Sequence, residues 1–368
     1  VEKGRKPRWG YFPKEGHPQV VTRFDGTKIT PGFLQAIAYE VYVKNVTFCL
    51  LHQWLGDMGM TVSENTLRNW LKKGRKYLDR MVLELKRIAL EKDAVVNCDE
   101  TWCKVRKYDR YKKCYMWVLV NKAERVVIFF YEDGSRGRDV LTNFLGDAEL
   151  KALMSDGYNA YVFIGDELKT HRYKDTDHQV CLAHVRAKFV KARMEGGDKR
   201  ADVFLDNINR LFRFEREYDR EMITDGERTR RRQGLPTMEV MINLRANLLQ
   251  ELKSEEEQKS CYMREALNYL HKFWKEAFTY IKDGRYPISN NLAERAVRPF
   301  TTKRKNSLHF GSDEGAEIAA VYHSIISTVK LQGRSTWDYL GKFFTGIFNG
   351  CRDFLSLAPQ NIDLAVCQ

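Results

Sequence analysis

Two apolar runs constrain this chain most. Cys114–Val120 reads CYMWVLV and Val126–Tyr131 reads VVIFFY, both rich in β-branched and aromatic residues and separated by a short polar link. Such runs suit strands. A β-like run at Ala94–Cys98 precedes them and ends in Asp99-Glu100-Thr101. Val140–Leu145 then has helical spacing. Leu153–Ser155 reads as a short strand ending in Asp156-Gly157, and Val180–Leu182 as a fifth. Three consecutive strands followed by helix–strand alternation predict an α/β fold around one mixed sheet.

Helical patterns flank these strands on both sides. Residues 1–29 form a polar, basic lead rich in glycine and proline, with one strand expected at Gln19–Phe24. Thr30-Pro31 marks a helix start, an N-cap with proline at the first helical position. Phe33, Leu34, Ile37, Ala38 and Val41 then recur at helical spacing. A second helix is expected over about Thr47–Leu55, a turn over Gly56–Met60, and a third helix opened by Ser63-Glu64-Asn65-Thr66. Region 30–78 therefore fits a helix-turn-helix, and equally an ordinary helical hairpin. In the first case Arg68, Asn69, Lys72 and Lys73 face DNA. Residues 79–92 read as a helical connector. Within region 93–335, a helical block at about 190–283 interrupts the strand pattern. Its Ile223–Pro236 stretch, carrying Arg228, Arg230, Arg231 and Arg232, reads as an exposed loop with solvated arginines. A helical tail over 336–368 ends the chain.

Composition narrows the partners. The 368 residues are 43% hydrophobic and 12% aromatic, which describes a folded protein rather than a disordered one. The net charge of +13 favours a polyanion, because cations near phosphates release condensed counterions. Eight cysteines without paired spacing read as reduced thiols. No apolar run approaches the roughly 20 residues of a membrane span. No signal peptide is evident either, so the expected location is cytoplasmic.

Three acids stand at places where chemistry is built. Asp99 and Asp156 each close a strand, where open sheets place their ligand crevices. Alternation along the strand directs Asn97 and Asp99 to one face and Cys98 and Glu100 to the other. The third acid, Glu294, lies in PISNNLAERAVRPFTTKRKNSLHFGSDEG, Pro287–Gly315. There it precedes a basic run of Arg295, Arg298, Lys303, Arg304 and Lys305, flanked by Asn290, Asn291 and Asn306. Asn291 and Glu294 also have capping-box spacing, and Glu294 and Arg298 are an i,i+4 pair. Carboxylates from three elements make a hard-oxygen set for Mg²⁺ or Mn²⁺. Two such ions about 3.5–4 Å apart would clamp the attacking and leaving oxygens of a phosphodiester.

The residues quoted above, with SDGYNAY (Ser155–Tyr161), HQVCLAHVRAKF (His178–Phe189) and ENTLRNWL, resemble transposases of the IS-sixty-six insertion-sequence family, of the DDE group. The resemblance implies an RNase H-like core with a large helical insertion, and Asp99, Asp156 and Glu294 as its catalytic acids. It accounts for the separation of 138 positions between the last two. It implies metal-dependent cleavage and strand transfer on double-stranded DNA, by a homo-oligomer with accessory proteins of the same element. A regulator that has lost transposition, or a nuclease without strand transfer, would share the same residues. His184, Arg186, Lys188 and Asn291 join the basic run as expected DNA contacts. The family's paired arginines read Arg186-Ala187 here, and its aromatic after Arg-Lys-Asn reads Ser307. His178, Cys181 and His184 have a zinc-like spacing but no evident fourth ligand. Cys181 is expected to be buried in a strand, and His184 to lie beside the second aspartate.

Overall fold

The computed structural model describes residues 24–27, 29–108, 110–132, 134–254 and 259–363. Residues 1–23, with most of the strand expected over Gln19–Phe24, lie outside them. Helices α1 (Pro31–Tyr42), α2 (Phe48–Asp57) and α3 (Glu64–Ala89) come first. The strand region follows as β1 (Val95–Lys107), β2 (Arg110–Asn121), β3 (Val126–Phe130), α4 (Arg138–Leu145), β4 (Ala152–Ser155) and β5 (Asp177–Val180). The helical block comprises α5 (Leu182–Met194), α6 (Ala201–Glu221), α7 (Asp225–Arg232), α8 (Leu235–Lys253), α9 (Cys261–Lys272) and α10 (Trp274–Phe278). Helices α11 (Asn291–Asn306), α12 (Asp313–Leu331) and α13 (Thr336–Phe348) follow; the expected helical tail stops at Phe348, and residues 349–363 are turns and irregular segments instead.

Helix starts follow the local chemistry. The Thr30 hydroxyl accepts from Phe33 N at 3.2 Å, and Ser63 Oγ accepts from Thr66 N at 3.2 Å. Each satisfies one of the orphan donors of a first helical turn. The expected connector is no separate element: α3 runs unbroken through residues 79–89. No helix among the described residues is long and apolar enough to cross a membrane.

The sheet is mixed, in the order β3-β2-β1-β4-β5. β1–β2 and β2–β3 are antiparallel, whereas β1–β4 and β4–β5 are parallel. One face packs Trp117, Leu119, Ile128 and Leu153 into a core with α1, α3, α4, α12 and α13. The other packs Met116, Val118, Val120 and Phe129 against Ala293, Val297 and Phe300 of α11. The insert has its own core, built on Phe189, Phe204, Leu244 and Leu267.

α12 also covers the open edge of the sheet. Val127 N donates to Thr328 Oγ1 at 3.0 Å, and Phe129 N donates to Ser324 Oγ at 2.7 Å. The hydroxyls return bonds to the carbonyls of Val127 and Phe129. One turn of helix thus satisfies a strand edge that would otherwise template association.

The arginine-rich stretch after α6 departs from expectation. It is helix α7, and Arg232 is almost fully buried rather than solvated. Its guanidinium bonds both oxygens of Glu215 and donates to the carbonyls of Tyr280, Asp283 and Tyr286. Composition alone hides this, because a planar five-donor cation can be buried wherever acceptors converge.

Candidate active site

β1 divides its acids as alternation requires. Glu100 points into the core, where it accepts from Tyr161 OH and pairs with Arg136 at 2.7 Å. Asp99 points the other way, and its Oδ1 accepts from Glu100 N at 2.9 Å. Asp156 follows the last residue of β4, the parallel neighbour of β1. Its Oδ1 accepts from Tyr158 N at 2.8 Å, and its carbonyl accepts from Tyr269 OH of the insert. The turn needs Gly157: its φ is +81°, and an added Cβ would lie 2.7 Å from the Tyr269 hydroxyl.

Glu294 lies in the first turn of α11. The capping box expected for it does not form, because the helix starts one residue earlier, with Asn290 as its N-cap. No ion pair with Arg298 is seen among the described residues. Instead Glu294 Oε1 faces His184 Nδ1 at 3.7 Å.

What fixes this helix against β1 is Asn290, whose amide is fully buried. Its Oδ1 accepts from Asn97 Nδ2 at 2.9 Å and its Nδ2 donates to the Cys98 carbonyl at 2.9 Å. Its backbone N–H donates to Cys181 Sγ at 3.1 Å. One side chain therefore joins the strand of Asp99 to the helix of Glu294. The sequence marks Asn290 only as one of several amides flanking a basic run.

Asp156 and Glu294 both act on Asp99 electrostatically, but among the described residues the three acids do not form a group with oxygens all within 4.8 Å of one another. Burial, and then the charges of Glu100, Asp156 and Glu294, push the Asp99 carboxyl up from 3.8 to about 8. A half-buried set of like charges of this kind is relieved by a cation. Its oxygens are the hard donors that Mg²⁺ and Mn²⁺ take.

The zinc-like spacing resolves differently. His178 turns away: burial pushes its imidazole down to about 4, and Nε2 lies 3.0 Å from Ser155 Oγ. Cys181 is buried, as expected, but at the start of α5 just beyond the strand. His184 meets the third acid. One ligand atom each from Cys181, His184 and Glu294 lie within 4.8 Å of one another.

The expected DNA contacts do not form one surface. Arg295, Arg298, Lys305, Asn291 and Asn306 are exposed. Arg68, Asn69, Arg304 and Asn306 come together around a cleft of about 790 Å³ between α3 and the end of α11. Within it Arg68 pairs with Glu64 at 2.6 Å, and Arg304 lies over Trp102 and donates to its carbonyl at 2.6 Å. Arg186 and Lys188, by contrast, are held by the insert, at Asn209 and Glu265.

Lys303 does not belong to the basic surface. It is buried, with Nζ donating to the Val41 carbonyl at 3.1 Å and lying 4.2 Å from the Tyr42 ring centre. The lysine caps the last turn of α1. Burial pushes it down from 10.5 to about 7. Between those values the unfolded chain holds the proton and the folded chain does not, so stability rises with pH across that window. The penalty is complete below pH 7. Lys303→Met should therefore raise stability by ~1–3 kcal/mol at pH 6, with the gain fading towards pH 10. Thermal melts across that range check this; a loss of stability at pH 6 would show that the cap outweighs the buried charge.

Comparison with known proteins gives this site a context. The uncharacterised protein y4jD of Sinorhizobium fredii is 25% identical over 344 residues, covering 89% of this chain and 64% of that protein. Protein y4qI of the same organism is 27% identical over 239 residues, covering 64% of this chain and 43% of its own length. The chain thus spans less than two thirds of the length of these curated relatives. A family model described as "Transposase IS66 family" matches residues 26–318, a span that includes all three acids and the helical insert, and the chain belongs to that family.

Proposed function

We propose that the protein is a DNA transposase whose Asp99, Asp156 and Glu294 hold divalent metal for phosphodiester cleavage and strand transfer. The observation that carries this reading is the placement of three acids on neighbouring elements, Asp99 in β1, Asp156 after the parallel β4 and Glu294 in the first turn of α11, where burial and the charges of Glu100, Asp156 and Glu294 raise the Asp99 carboxyl. The sheet order supports an RNase H-like core: an antiparallel trio followed by two parallel strands, with Asp156 just past the end of β4 and Asp99, expected from sequence at a strand end, instead inside the longer β1, two residues past its pairing with β4. The separation of α2 and α3 by a short turn supports a helix-turn-helix reading of the N-terminal helices.

When bound, Mg²⁺ or Mn²⁺ would neutralise the phosphate and lower the pKa of an attacking water or 3′-hydroxyl. The chain's own residues do the rest. The three carboxylates bind and orient. Asn290 sets the distance between β1 and α11. Arg295, Arg298 and Lys305 offer exposed charge along the DNA, a positioning role that adds positive potential at the phosphates. Cys181 and His184 offer softer donors beside Glu294.

The test uses purified protein, Mg²⁺ and labelled DNA from an element end, with Asp156→Asn as control. Nicked and joined products are expected, and both should vanish in the variant. Cleavage without joining would point to a nuclease. Binding without cleavage, with the element's accessory proteins present, would overturn the enzymatic reading.

A further inference from the structure

The two strands nearest Asp99 extend well past the sheet. β4 pairs with β1 only over 95–97, and β3 pairs with β2 only over 117–121. β1 and β2 pair with each other from 96 to 107. Residues 101–107 and 110–116 therefore form a two-stranded ribbon that begins beside Asp99.

One face of the ribbon is anchored. Cys103, Val105 and Cys114 are buried with α11 and α12. The segment after α11 adds a short parallel bridge: Arg106 N donates to Phe310 O at 2.9 Å and Phe310 N donates to Lys104 O at 2.8 Å. The opposite face is open. Alternation places Trp102, Lys104 and Arg106 on it, across from Tyr115, Lys113 and Tyr111. All but Tyr115 are exposed, as is Tyr108 at the tip.

The register of this face makes little sense for folding alone. On it Lys104 sits directly opposite Lys113; Lys107, opposite Arg110, belongs to the anchored face. Like charges at opposed positions destabilise a strand pair. Lys107 is compensated by Asp313. Lys104 and Lys113 have no acidic partner among the described residues. Basic side chains interleaved with exposed aromatics, on a ribbon of the width a DNA groove admits, match a polyanion with stackable or groove surfaces.

We propose that this ribbon is a duplex-DNA contact in its own right, laid against the backbone beside the acids. Arg304 joins it to the basic end of α11, since its Nη1 donates to Thr101 Oγ1 at 3.1 Å while its guanidinium covers Trp102. That the ribbon lies near a scissile bond rests on the transposase reading; that it binds duplex DNA does not.

The experiment measures binding of the full chain to a fluorescent duplex of arbitrary sequence, and to one of its strands alone, over a salt series. The probe variant is Lys104→Gln/Arg106→Gln/Lys113→Gln, which leaves the anchored face intact. Its salt slope on duplex should fall by roughly 2–3, with affinity near physiological salt lowered on the order of 10–100-fold. If that variant fails to fold, Arg106→Gln alone should lower the slope by about 1. An unchanged slope in a folded variant overturns the proposal, as does a loss confined to the single strand. Because the readout is binding, a chain that cleaves nothing yet shows the ribbon-dependent slope would sink the transposase reading and keep this one.

Discussion

Asp99→Asn should stabilise the metal-free protein and abolish its metal-dependent chemistry. The asparagine keeps an oxygen for the Glu100 N–H and removes a carboxylate that burial and three neighbouring acids disfavour. The folded carboxyl lies at about 8 against 3.8 in its ordinary state. Between these values the folded chain retains a proton that the unfolded chain has lost. Stability therefore falls as pH rises through that window, and the full penalty is reached above pH 8. The variant's advantage in chelator should grow from near zero at pH 4 to ~2–5 kcal/mol at pH 8. Adding Mg²⁺ should raise the melting temperature of the parent protein more than that of the variant, since the cation relieves only the parent's repulsion. Cleavage should fall by about 10³ or more, several kcal/mol of lost charge stabilisation. A variant that is less stable than its parent at pH 8 in chelator would show that Asp99 is not in a frustrated carboxylate set.

How much of this was legible depended on distance along the chain. Thr30-Pro31 and Ser63 announced their helices because a cap and its partner lie within three residues. The split between Asp99 and Glu100 followed from a period of two, and the structure keeps it. β1 and β2 proved longer than their apolar runs. Val95–Lys107 and Arg110–Asn121 carry a charged ribbon whose strand character comes from pairing and from the Phe310 bridge rather than from composition. Lys303 looked like one more cation in a basic run. What buries it is the C-terminal turn of α1, 262 residues away. Arg232 was misread for the same reason, since its acceptors come from α6 and from the segment after α10. Local chemistry is written locally, whereas a buried charge or amide takes its meaning from whichever element the fold brings to it.

Asn290 is the sharpest instance, and Asn290→Ala should show it. Asn97 lies 193 residues earlier, yet its amide is satisfied by Asn290 Oδ1 in a site from which water is excluded. Alanine would leave both Asn97 Nδ2 and the Cys98 carbonyl without that partner. The expected loss is ~2–5 kcal/mol, about 1–3 for each buried group stranded. The backbone bond to Cys181 Sγ survives the change, so α11 should still start at the same place but sit less firmly on β1. Glu294 is one turn along that helix. A positioning residue of this kind acts on metal affinity before it acts on DNA. The Mg²⁺ concentration giving half-maximal cleavage should rise roughly 10–100-fold, while the salt slope of DNA binding stays that of the parent. A purely structural role predicts a different pattern: lower stability, with the folded fraction keeping its normal magnesium requirement. Titrating Mg²⁺ at a temperature well below the variant's melting point separates the two. A parental magnesium curve there would mean that Asn290 holds the fold together without setting the distance between Asp99 and Glu294.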